Sequence, residues 1–239
     1  MSTLLLRLAG PMQSWGSSSL FDRRDTDDYP TKSGVIGILA GALGRKRGES
    51  LDDLRKLRFG VRIDAPGTRI DDFHITEMKN ENETFKSNLS HRLYLSDAVF
   101  LAGLESDDDD FLQFIKQALL NPVYAPFLGR RSCPPSGPMV VGIEEEGLEE
   151  ALQGSDWTVP KWRQKGLLRR NREISLRILV EDAHSQTLVC DNPVSFNPYQ
   201  RKYSYRGIRE CTPRTISAPK EENETDIYTT NFDPMQELV

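Results

Sequence analysis

The order of apolar and polar segments predicts a protein of the α+β class. Nearly continuous apolar runs near the N-terminus and around residues 91–101 have the length of buried strands, whereas two other segments repeat apolar residues at helical spacing. The chain of 239 residues can bury a substantial core, and its 28% charged and 37% hydrophobic residues are typical of a folded, soluble protein. We therefore expect strands and helices in two lobes.

The first strand is predicted from Thr3 to Leu8, where leucines form a nearly continuous run typical of a central strand buried on both faces. It ends at Gly10 and Pro11. The polar loop that follows, residues 12–19, contains one large aromatic side chain, Trp15. That indole either packs beneath the loop or presents its face to a nucleic-acid base.

A helix is predicted from Pro30–Ser33 to about Gly44, with Thr31 or Ser33 as its N-cap. Glycines at intervals of three and four residues share one face of it, and we expect a neighbouring element or a bound polyanion to approach that face closely. They are Gly34, Gly37, Gly41 and Gly44. Lys32 and Ser33 add an ammonium and a hydroxyl to the backbone amides of the helix start, which is a combination typical of a phosphate site.

The middle of the chain predicts two strands separated by a polar excursion. Leu51–Leu57 indicates a helical turn, and Arg58–Asp64 alternates charged and apolar residues as a half-exposed strand does. Residues 71–90 are too polar to fill a core and predict an extended hairpin or mobile loop projecting from the body. A buried strand is expected again over His91–Leu101.

The acidic run Asp107–Asp110 precedes an amphipathic helix that ends at Asn121 and Pro122. Acidic residues at a helix start complement the helix dipole, so we interpret this run as structural and not as a metal site. With a further strand over Met139–Ile143, the order of elements is βαββαβ. That is the order of the ferredoxin-like (RRM-like) fold, a common scaffold for RNA binding.

The C-terminal part of the chain is basic and rich in predicted strands. Lys161–Arg177 carries seven basic residues against one acidic residue. Asn197–Arg209 interleaves tyrosines with arginines, which suits either base stacking with phosphate binding or a sheet edge. We predict a domain at 1–147, a smaller strand-rich domain at 148–219 and a flexible acidic tail at 220–239.

The loop Tyr124–Pro138 places two adjacent arginines between a glycine and a proline pair, so neither a helix nor a central strand can continue through it. Its paired charges, Arg130 and Arg131, therefore lie on a constrained loop between Gly129 and Ser132. Such a loop suits phosphate binding, although a surface connection with two solvated arginines has the same local sequence.

Several classes of protein are disfavoured. The longest apolar run, Gly34–Gly44, has 11 residues and is too short for a membrane span of about 20 residues, and no secretory signal is evident, so we expect a cytoplasmic protein. Three separated cysteines and three scattered histidines predict neither disulfides nor a metal site, and no cofactor is expected. The common nucleotide-binding, hydrolase and zinc-protease motifs are absent.

A metal-free ribonuclease remains open at this point. It would need a general base, an acid and a cation around one phosphodiester. His74 or His91 could supply the base, together with Lys79, Lys86 or Tyr94.

Three blocks of sequence together carry a resemblance: LRLAGPMQSWG from Leu5, YPTKSGVIG from Tyr29 and YAPFLGRRSCP from Tyr124. They resemble the CasD family, RAMP proteins that are subunits of type I-E CRISPR Cascade surveillance complexes. The resemblance covers roughly the first 145 residues. It implies a ferredoxin-like domain with a thumb hairpin at about residues 68–92.

The resemblance also implies a role. The protein would grip the 5′ handle of the CRISPR RNA (crRNA), cap the backbone filament, and contact the backbone and large subunits near target DNA. It would be non-catalytic, because the separate CasE subunit cuts the precursor in type I-E systems. A sister family in type I-C systems does cut RNA, so an endoribonuclease remains an alternative, as does a protein–protein adaptor.

The expected RNA contacts come from the three blocks, the hairpin and the adjoining helix. Arginine, lysine and serine side chains would contact phosphates, and glycines would permit close approach. The predicted RNA-binding residues are Gln13, Trp15, Lys32, Ser33, Gly34, Gly37, Arg45, Lys86, Arg92, Gly129, Arg130, Arg131 and Ser132.

Overall fold

The computed structural model describes residues 1–16, 23–79 and 85–218, with only the backbone at positions 78, 79, 85 and 86. The elements in order are β1 (Ser2–Ala9), β2 (Met12–Gln13), β3 (Arg23–Arg24), α1 (Lys32–Ala42), α2 (Asp52–Arg55), β4 (Arg58–Ala65), β5 (Thr68–Lys79), β6 (Phe85–Ser96), β7 (Val99–Ser106), α3 (Asp109–Leu120), β8 (Val140–Glu144), α4 (Leu148–Gly154), α5 (Lys161–Arg170), β9 (Glu173–Glu181), β10 (Leu188–Ser195) and β11 (Lys202–Ser217). The predicted acidic tail, 220–239, lies outside the described residues. None of the described helices is long and apolar enough to cross a membrane.

A seven-stranded sheet in the order β10-β11-β9-β4-β7-β1-β8 forms the body of the molecule, which confirms the α+β class. Strand β1 pairs antiparallel with β7 on one side and with β8 on the other. Its leucines face both ways: Leu4, Leu6 and Leu8 pack in the core that includes α1 and α3, whereas Leu5 packs with α4 on the opposite face. The predicted central strand is therefore confirmed, and its apolar run fills two cores at once.

Strand β4 differs from the prediction of a half-exposed strand, because it is buried along almost its whole length. Helix α4 covers one face, and β9 pairs with its edge. Arg62 and Asp64, which alternate with apolar residues in the sequence, form a fully buried ion pair with 2.6 Å between Nε and Oδ1. The charged residues that alternate with apolar ones in β4 therefore mark a buried ion pair and not a solvent-facing side of the strand.

Residues 68–79 and 85–96 form the long antiparallel hairpin β5–β6, which is one of the two forms expected for the polar segment 71–90. Residues 80–84 lie outside the described residues. The strand expected over His91–Leu101 is two strands instead, since the chain turns at Asp97, which has a φ of 55°. Residues before that turn continue the hairpin, and residues after it form β7 in the central sheet. The hairpin thus joins the body at a sharp turn.

The two predicted helix starts are confirmed. Thr31 caps α1 by accepting a hydrogen bond from the amide of Gly34, and Asp108 caps α3 by accepting one from the amide of Phe111. Two helices in the C-terminal part, α4 and α5, were not predicted. The strands β9, β11 and β10 extend the same sheet from β4 outward.

Candidate nucleic-acid interface

An open cleft of about 410 Å³ lies where the Arg130 loop meets the segment after β2 and the end of the β10–β11 connection. Three arginines and a single aspartate line it, so its charge favours an anion. The lining residues are Ser14, Gly16, Arg24, Asp25, Gly129, Arg130 and Arg201.

The Arg130 loop, residues 128–133, is a closed turn held at both ends. The amide of Leu128 donates to the carbonyl of Cys133 at 2.7 Å, and both residues are fully buried. Between them, Gly129 has a φ of +85°, and a Cβ at this position would overlap the carbonyl oxygen of Ser14. Only glycine lets the loop lie this close to Ser14, so the local sequence sets the position of Arg130.

The Arg130 guanidinium is held by two contacts, and one of its two terminal nitrogens has no partner. Its Cζ lies 4.5 Å from the centroid of the Tyr94 ring, and its Nη2 donates to the carbonyl oxygen of Arg24 at 2.8 Å. Its Nη1 is buried and has no hydrogen-bond partner. Because an unpaired buried donor is costly, this nitrogen marks a position where an anion would be stabilised.

Arg131 and Ser132 were predicted beside Arg130, and the structure places both on the exposed side of the same turn. Neither lines the cleft. The hydroxyl of Ser132 lies 3.8 Å from the Sγ of Cys133. Gly129 and Arg130 are therefore the two residues of this block that the structure brings to the cleft.

Gln13 and Trp15 are buried, which contradicts their prediction as RNA contacts. The Gln13 amide donates to the carbonyls of Leu8 and Ala98, and its oxygen accepts from the Trp15 Nε1 at 3.0 Å. Trp15 is 1% exposed. Both side chains support the strand end and the start of α1 from below, so the alternative in which the indole packs beneath the loop is correct.

The helix start at Lys32 was predicted as a phosphate site, and the structure contradicts that role. The Lys32 ammonium is 1% exposed and donates to Glu181 at 2.8 Å, and burial lowers its pKa. The Lys32 amide donates to the carboxylate of Asp191 at 2.8 Å, and Asp191 also pairs with Arg206 at 2.6 Å. The protein thus supplies its own anion to the start of α1.

Ser33 is half-buried at the same helix start, with its hydroxyl 3.4 Å from that of Thr31, and it does not line the cleft. The two predicted phosphate sites therefore do not share one ligand pocket. Instead, the ring of Trp15 packs against the start of α1, because it lies 2.8 Å from the position that a Cβ on Gly34 would occupy. Trp15 therefore links the start of α1 to the segment after β2.

Gly34 accordingly permits close packing of a neighbouring side chain, as one of the two interpretations of the glycine row expected. A Cβ on Gly37 would make an ordinary van der Waals contact with the ring of Phe196, the residue that follows β10. Gly41 has open space, and Gly44 has a φ of +73° at the end of the helix. No single close approach explains the whole row.

Arg45 is paired within the protein, and its predicted contact with phosphate stays a prediction. Its two terminal nitrogens donate to both carboxylate oxygens of Asp53, and Nη1 also donates to the carbonyl of Ser50 at 2.8 Å. These hydrogen bonds lower the pKa of the Asp53 carboxyl. The pair fixes the connection between α1 and α2.

Of the two predicted RNA contacts on the hairpin, Arg92 has a described side chain and Lys86 does not. Arg92 lies on β6 directly opposite Arg24 of β3 and is half-buried, with an Nε that has no partner. It does not line the cleft. The side chain of Lys86 lies outside the described residues, so its role stays a prediction.

Sequence reasoning did not place Arg24 or Arg201 at the site, and it did not predict Tyr94 as the support of Arg130. A signal existed for two of them. Arg201 falls in the stretch of interleaved tyrosines and arginines, and Arg23 and Arg24 form a second pair of adjacent arginines. Their convergence with Arg130 depends on β3 and on the β10–β11 connection, which local sequence does not predict.

The two histidines considered for a ribonuclease lie on opposite faces of the hairpin, and the side chains of Lys79 and Lys86 lie outside the described residues. Phe73 pairs with His91 across the hairpin, which places His74 on the opposite face from His91. His91 Nδ1 lies 3.5 Å from a carboxylate oxygen of Asp71. Within residues 1–16, 23–79 and 85–218, no group of three metal-ligating side chains is found.

A mixed α+β fold with a projecting hairpin and an arginine-lined cleft defines a class of proteins whose cleft suits an anion. The chain belongs to the Cas5 family of CRISPR-associated proteins, since the family model described as "CRISPR-associated protein (Cas_Cas5)" matches residues 3–209. It is 36% identical over 160 residues to the CRISPR system Cascade subunit CasD of Escherichia coli (strain K12), covering 59% of this chain and 70% of that protein.

Two solved structures are similar over most of the chain. One is part of a CRISPR RNA-guided surveillance complex, with 32% identity and a TM-score of 0.71 over 90% of this chain and 91% of the other. The second is a Cas protein, with 38% identity and a TM-score of 0.68 over 89% of this chain and 95% of the other. Both matches extend into the C-terminal strands.

Proposed function

We propose that the chain is the CasD-type subunit of a type I-E Cascade surveillance complex, where it binds the 5′ handle of the crRNA without cutting it. The family, the CasD relative and the likeness to a surveillance complex support this role. The observation that carries the proposal is the unpartnered Nη1 of Arg130 in a cleft with two further arginines.

The chemistry of the cleft suits a phosphate backbone. Arg130 is oriented by the Tyr94 ring and the Arg24 carbonyl, so it loses little further freedom when a phosphate oxygen accepts from Nη1. Arg24 and Arg201 lie on the same cleft and can neutralise neighbouring phosphates. Arg131 and Ser132, exposed next to the cleft, extend the proposed path of the RNA.

The finer description of the fold is also a proposal, that of a ferredoxin-like domain with a thumb. Its support is the strand order β4-β7-β1-β8, in which every neighbouring pair is antiparallel, with α1 between β1 and β4 and α3 between β7 and β8. The hairpin β5–β6 takes the place of the thumb. The division into domains at 1–147 and 148–219 stays a prediction.

Assembly with other subunits is proposed for the apolar end of α3. Large hydrophobic side chains are exposed along α3 and in the loop after it, and exposed apolar surface of this kind is typical of protein interfaces. They are Phe114, Leu120, Val123 and Tyr124, each exposed by more than half. We propose the backbone subunit and the large subunit of Cascade as partners, in the cytoplasm and near target DNA.

The test is to isolate the tagged chain from cells that carry the CRISPR locus and to sequence the RNA that copurifies. We expect crRNA whose 5′ handle is protected, and we expect Arg130→Ala/Arg201→Ala to lose it. A matched variant, Lys46→Ala/Arg47→Ala, removes two exposed charges from the loop after α1 and should retain the crRNA. Equal recovery from both variants would contradict the proposal, and recovery of the partner subunits without RNA would favour an adaptor.

A metal-independent endoribonuclease is the second candidate, favoured by the Asp71–His91 pair alone, which resembles an oriented general base. Incubation of the purified chain with repeat RNA in the absence of metal distinguishes the two. We expect no specific cleavage. Cleavage that His91→Ala abolishes would replace the non-catalytic role.

A further inference from the structure

Helix α5 presents a basic and aromatic face to solvent, and none of its residues lines the Arg130 cleft. The side chains of Leu167 and Leu168 pack against the small core formed around Trp157 and Leu176, and Gln164 donates to the carbonyl of Val159. The opposite half of the helix is exposed. It carries Lys161, Trp162, Lys165, Gly166, Arg169 and Arg170.

The exposed residues form two parallel rows, because positions four apart lie on the same side of a helix. One row is wholly cationic: Lys161, Lys165 and Arg169. The next row, at one residue's offset, is Trp162, Gly166 and Arg170. A row of charges with about 6 Å of rise between its members can follow a phosphate backbone while the neighbouring row meets the bases.

These charges are not used within the described part of the chain. None of the Lys161, Lys165, Arg169 and Arg170 side chains forms an ion pair or a hydrogen bond there, whereas other basic residues do, such as Arg177 with Glu210 and Arg209 with Glu149. Arg163, on the buried half of α5, donates to the carbonyl of Asp97. Concentrated like charge without local compensation is typical of a surface that binds a polyanion.

Trp162 and Gly166 indicate which polyanion. Trp162 is 77% exposed, although it is one of the largest apolar side chains available. Gly166 has no atom within 4 Å of a Cβ position, and glycine in a helix interior costs about 1 kcal/mol relative to alanine. Packing does not explain either residue, but an indole face beside open space lets a flat ligand stack and its backbone come close.

We propose that α5 binds single-stranded nucleic acid, at a site separate from the Arg130 cleft. The exposed indole stacks on a base, and the Lys161–Lys165–Arg169 row neutralises phosphates of the same strand. An acidic protein segment would satisfy the charges but would leave Trp162 without a stacking partner. No residue of α5 lines the cleft, so the proposal does not depend on how the crRNA handle is bound.

The three tryptophans make the site directly observable. Trp15 and Trp157 are 1% and 9% exposed, so Trp162 dominates quenching by a ligand that stacks from solvent. The probe is an oligodeoxythymidine of about 12 nucleotides, added to the full chain at low salt. We expect quenching of tryptophan fluorescence in the wild type and its loss in Trp162→Phe, while labelled oligonucleotide still binds that variant with reduced affinity.

Charge-reversal variants distinguish binding at α5 from nonspecific electrostatic attraction to the whole protein. Lys165→Glu/Arg169→Glu should weaken the quenching titration at least about tenfold, whereas Lys46→Glu/Arg47→Glu, with the same change of net charge, should leave it within about twofold. The cleft variant Arg24→Ala/Arg130→Ala/Arg201→Ala should quench like the wild type. A failure of the cleft to bind RNA therefore leaves this result intact, and the reverse also holds.

Three outcomes would overturn the proposal. One is equal weakening by the two charge-reversal pairs. Another is equal quenching by polyglutamate, which would assign the face to an acidic protein. The third is tighter binding of a duplex of the same length, since stacking on Trp162 requires an unpaired base.

Discussion

The guanidinium of Arg130 lies over the ring of Tyr94, with 4.5 Å between Cζ and the ring centroid. Tyr94 is 4% exposed and belongs to β6, near the base of the hairpin, so this contact connects the Arg130 loop to the hairpin. An arginine stacked in this way keeps its charge and most of its donors while losing side-chain freedom before any ligand arrives. The Arg130 guanidinium is therefore oriented before any ligand binds.

Gly129 should be more sensitive to substitution than Gly137, the other glycine of the loop Tyr124–Pro138. Alanine at Gly129 suffers the strain of positive φ and also overlaps the Ser14 carbonyl, whereas alanine at Gly137 has the same strain, at φ +82°, in open space. The strain costs about 1–2 kcal/mol in both variants. We expect the overlap to cost Gly129→Ala at least about 1 kcal/mol more in the free energy of unfolding, and to weaken RNA binding.

Chemical denaturation of the two variants measures the difference, and RNA titration of both completes the comparison. Equal stability of Gly129→Ala and Gly137→Ala would mean that the loop does not rest on Ser14.

Gln13 is expected to behave as a structural residue and not as an RNA ligand. Gln13→Ala leaves two buried carbonyls and the Trp15 Nε1 without their partner, which should lower the free energy of unfolding by about 2–3 kcal/mol. Gln113→Ala, an exposed glutamine on α3, should change it by less than about 0.5 kcal/mol.

Urea denaturation gives both values. If Gln13→Ala instead retained wild-type stability and lost RNA affinity, the residue would be an RNA contact after all.

Asp191 should be essential for attaching the C-terminal strands to α1. Asn at this position still accepts from the Lys32 amide but leaves the Arg206 guanidinium, 5% exposed, without a counter-charge. We expect Asp191→Asn to cost about 3 kcal/mol of unfolding free energy. Glu210→Gln breaks the exposed pair with Arg177 and should cost less than about 1 kcal/mol.

Thermal unfolding monitored by circular dichroism compares these two single-charge neutralisations. A similar loss from both would show that burial does not distinguish the two pairs.

The cysteines should differ in reactivity, with one fast thiol in the native chain. Cys190 is exposed, whereas Cys133 and Cys211 are buried, and burial raises the pKa of the Cys211 thiol to about 11. We expect a thiol reagent at pH 8 to modify Cys190 first and the other two only in urea, as followed by mass spectrometry.

The raised pKa of Cys211 also makes the free energy of unfolding depend on pH. Because the pKa of Cys211 is higher in the folded than in the unfolded chain, its contribution to stability is complete below about pH 8.5 and is lost as the pH rises toward 11. Cys211→Ser should flatten the stability profile in that window. Rapid modification of all three thiols at pH 8 in the native chain would contradict both expectations.

Local sequence was sufficient where neighbours along the chain decide the structure. The apolar run of β1 predicted its strand, Thr31 was one of the two predicted caps of α1, and the acidic run predicted the start of α3. The polarity of residues 71–90 predicted either a hairpin or a loop, and the structure has the hairpin β5–β6. Gly129 was also predicted as a position of close approach, although the group that approaches is the Ser14 carbonyl.

Local sequence did not predict the features that depend on contacts between segments far apart in the chain. Lys32 has the pattern of a phosphate ligand, yet Glu181 and Asp191, about 150 residues away along the chain, occupy its ammonium and its amide. Arg24 and Arg201 join the cleft only through tertiary contacts of the same long range. A charged side chain in a motif shows that an anion is needed, but it does not show whether the anion is RNA or a carboxylate of the protein.

The central claim is that the arginines of the cleft bind crRNA phosphates, and the salt dependence of affinity for the 5′-handle RNA tests it most directly. For Arg24→Ala/Arg130→Ala/Arg201→Ala we predict weaker binding and a plot of log K against log salt that is shallower by about 2, since each phosphate contact on a single strand contributes about 0.7. The control Lys46→Ala/Arg47→Ala/Lys56→Ala removes three exposed charges outside the cleft and should keep the wild-type slope. A cleft variant with the same slope and affinity as this control would contradict the account.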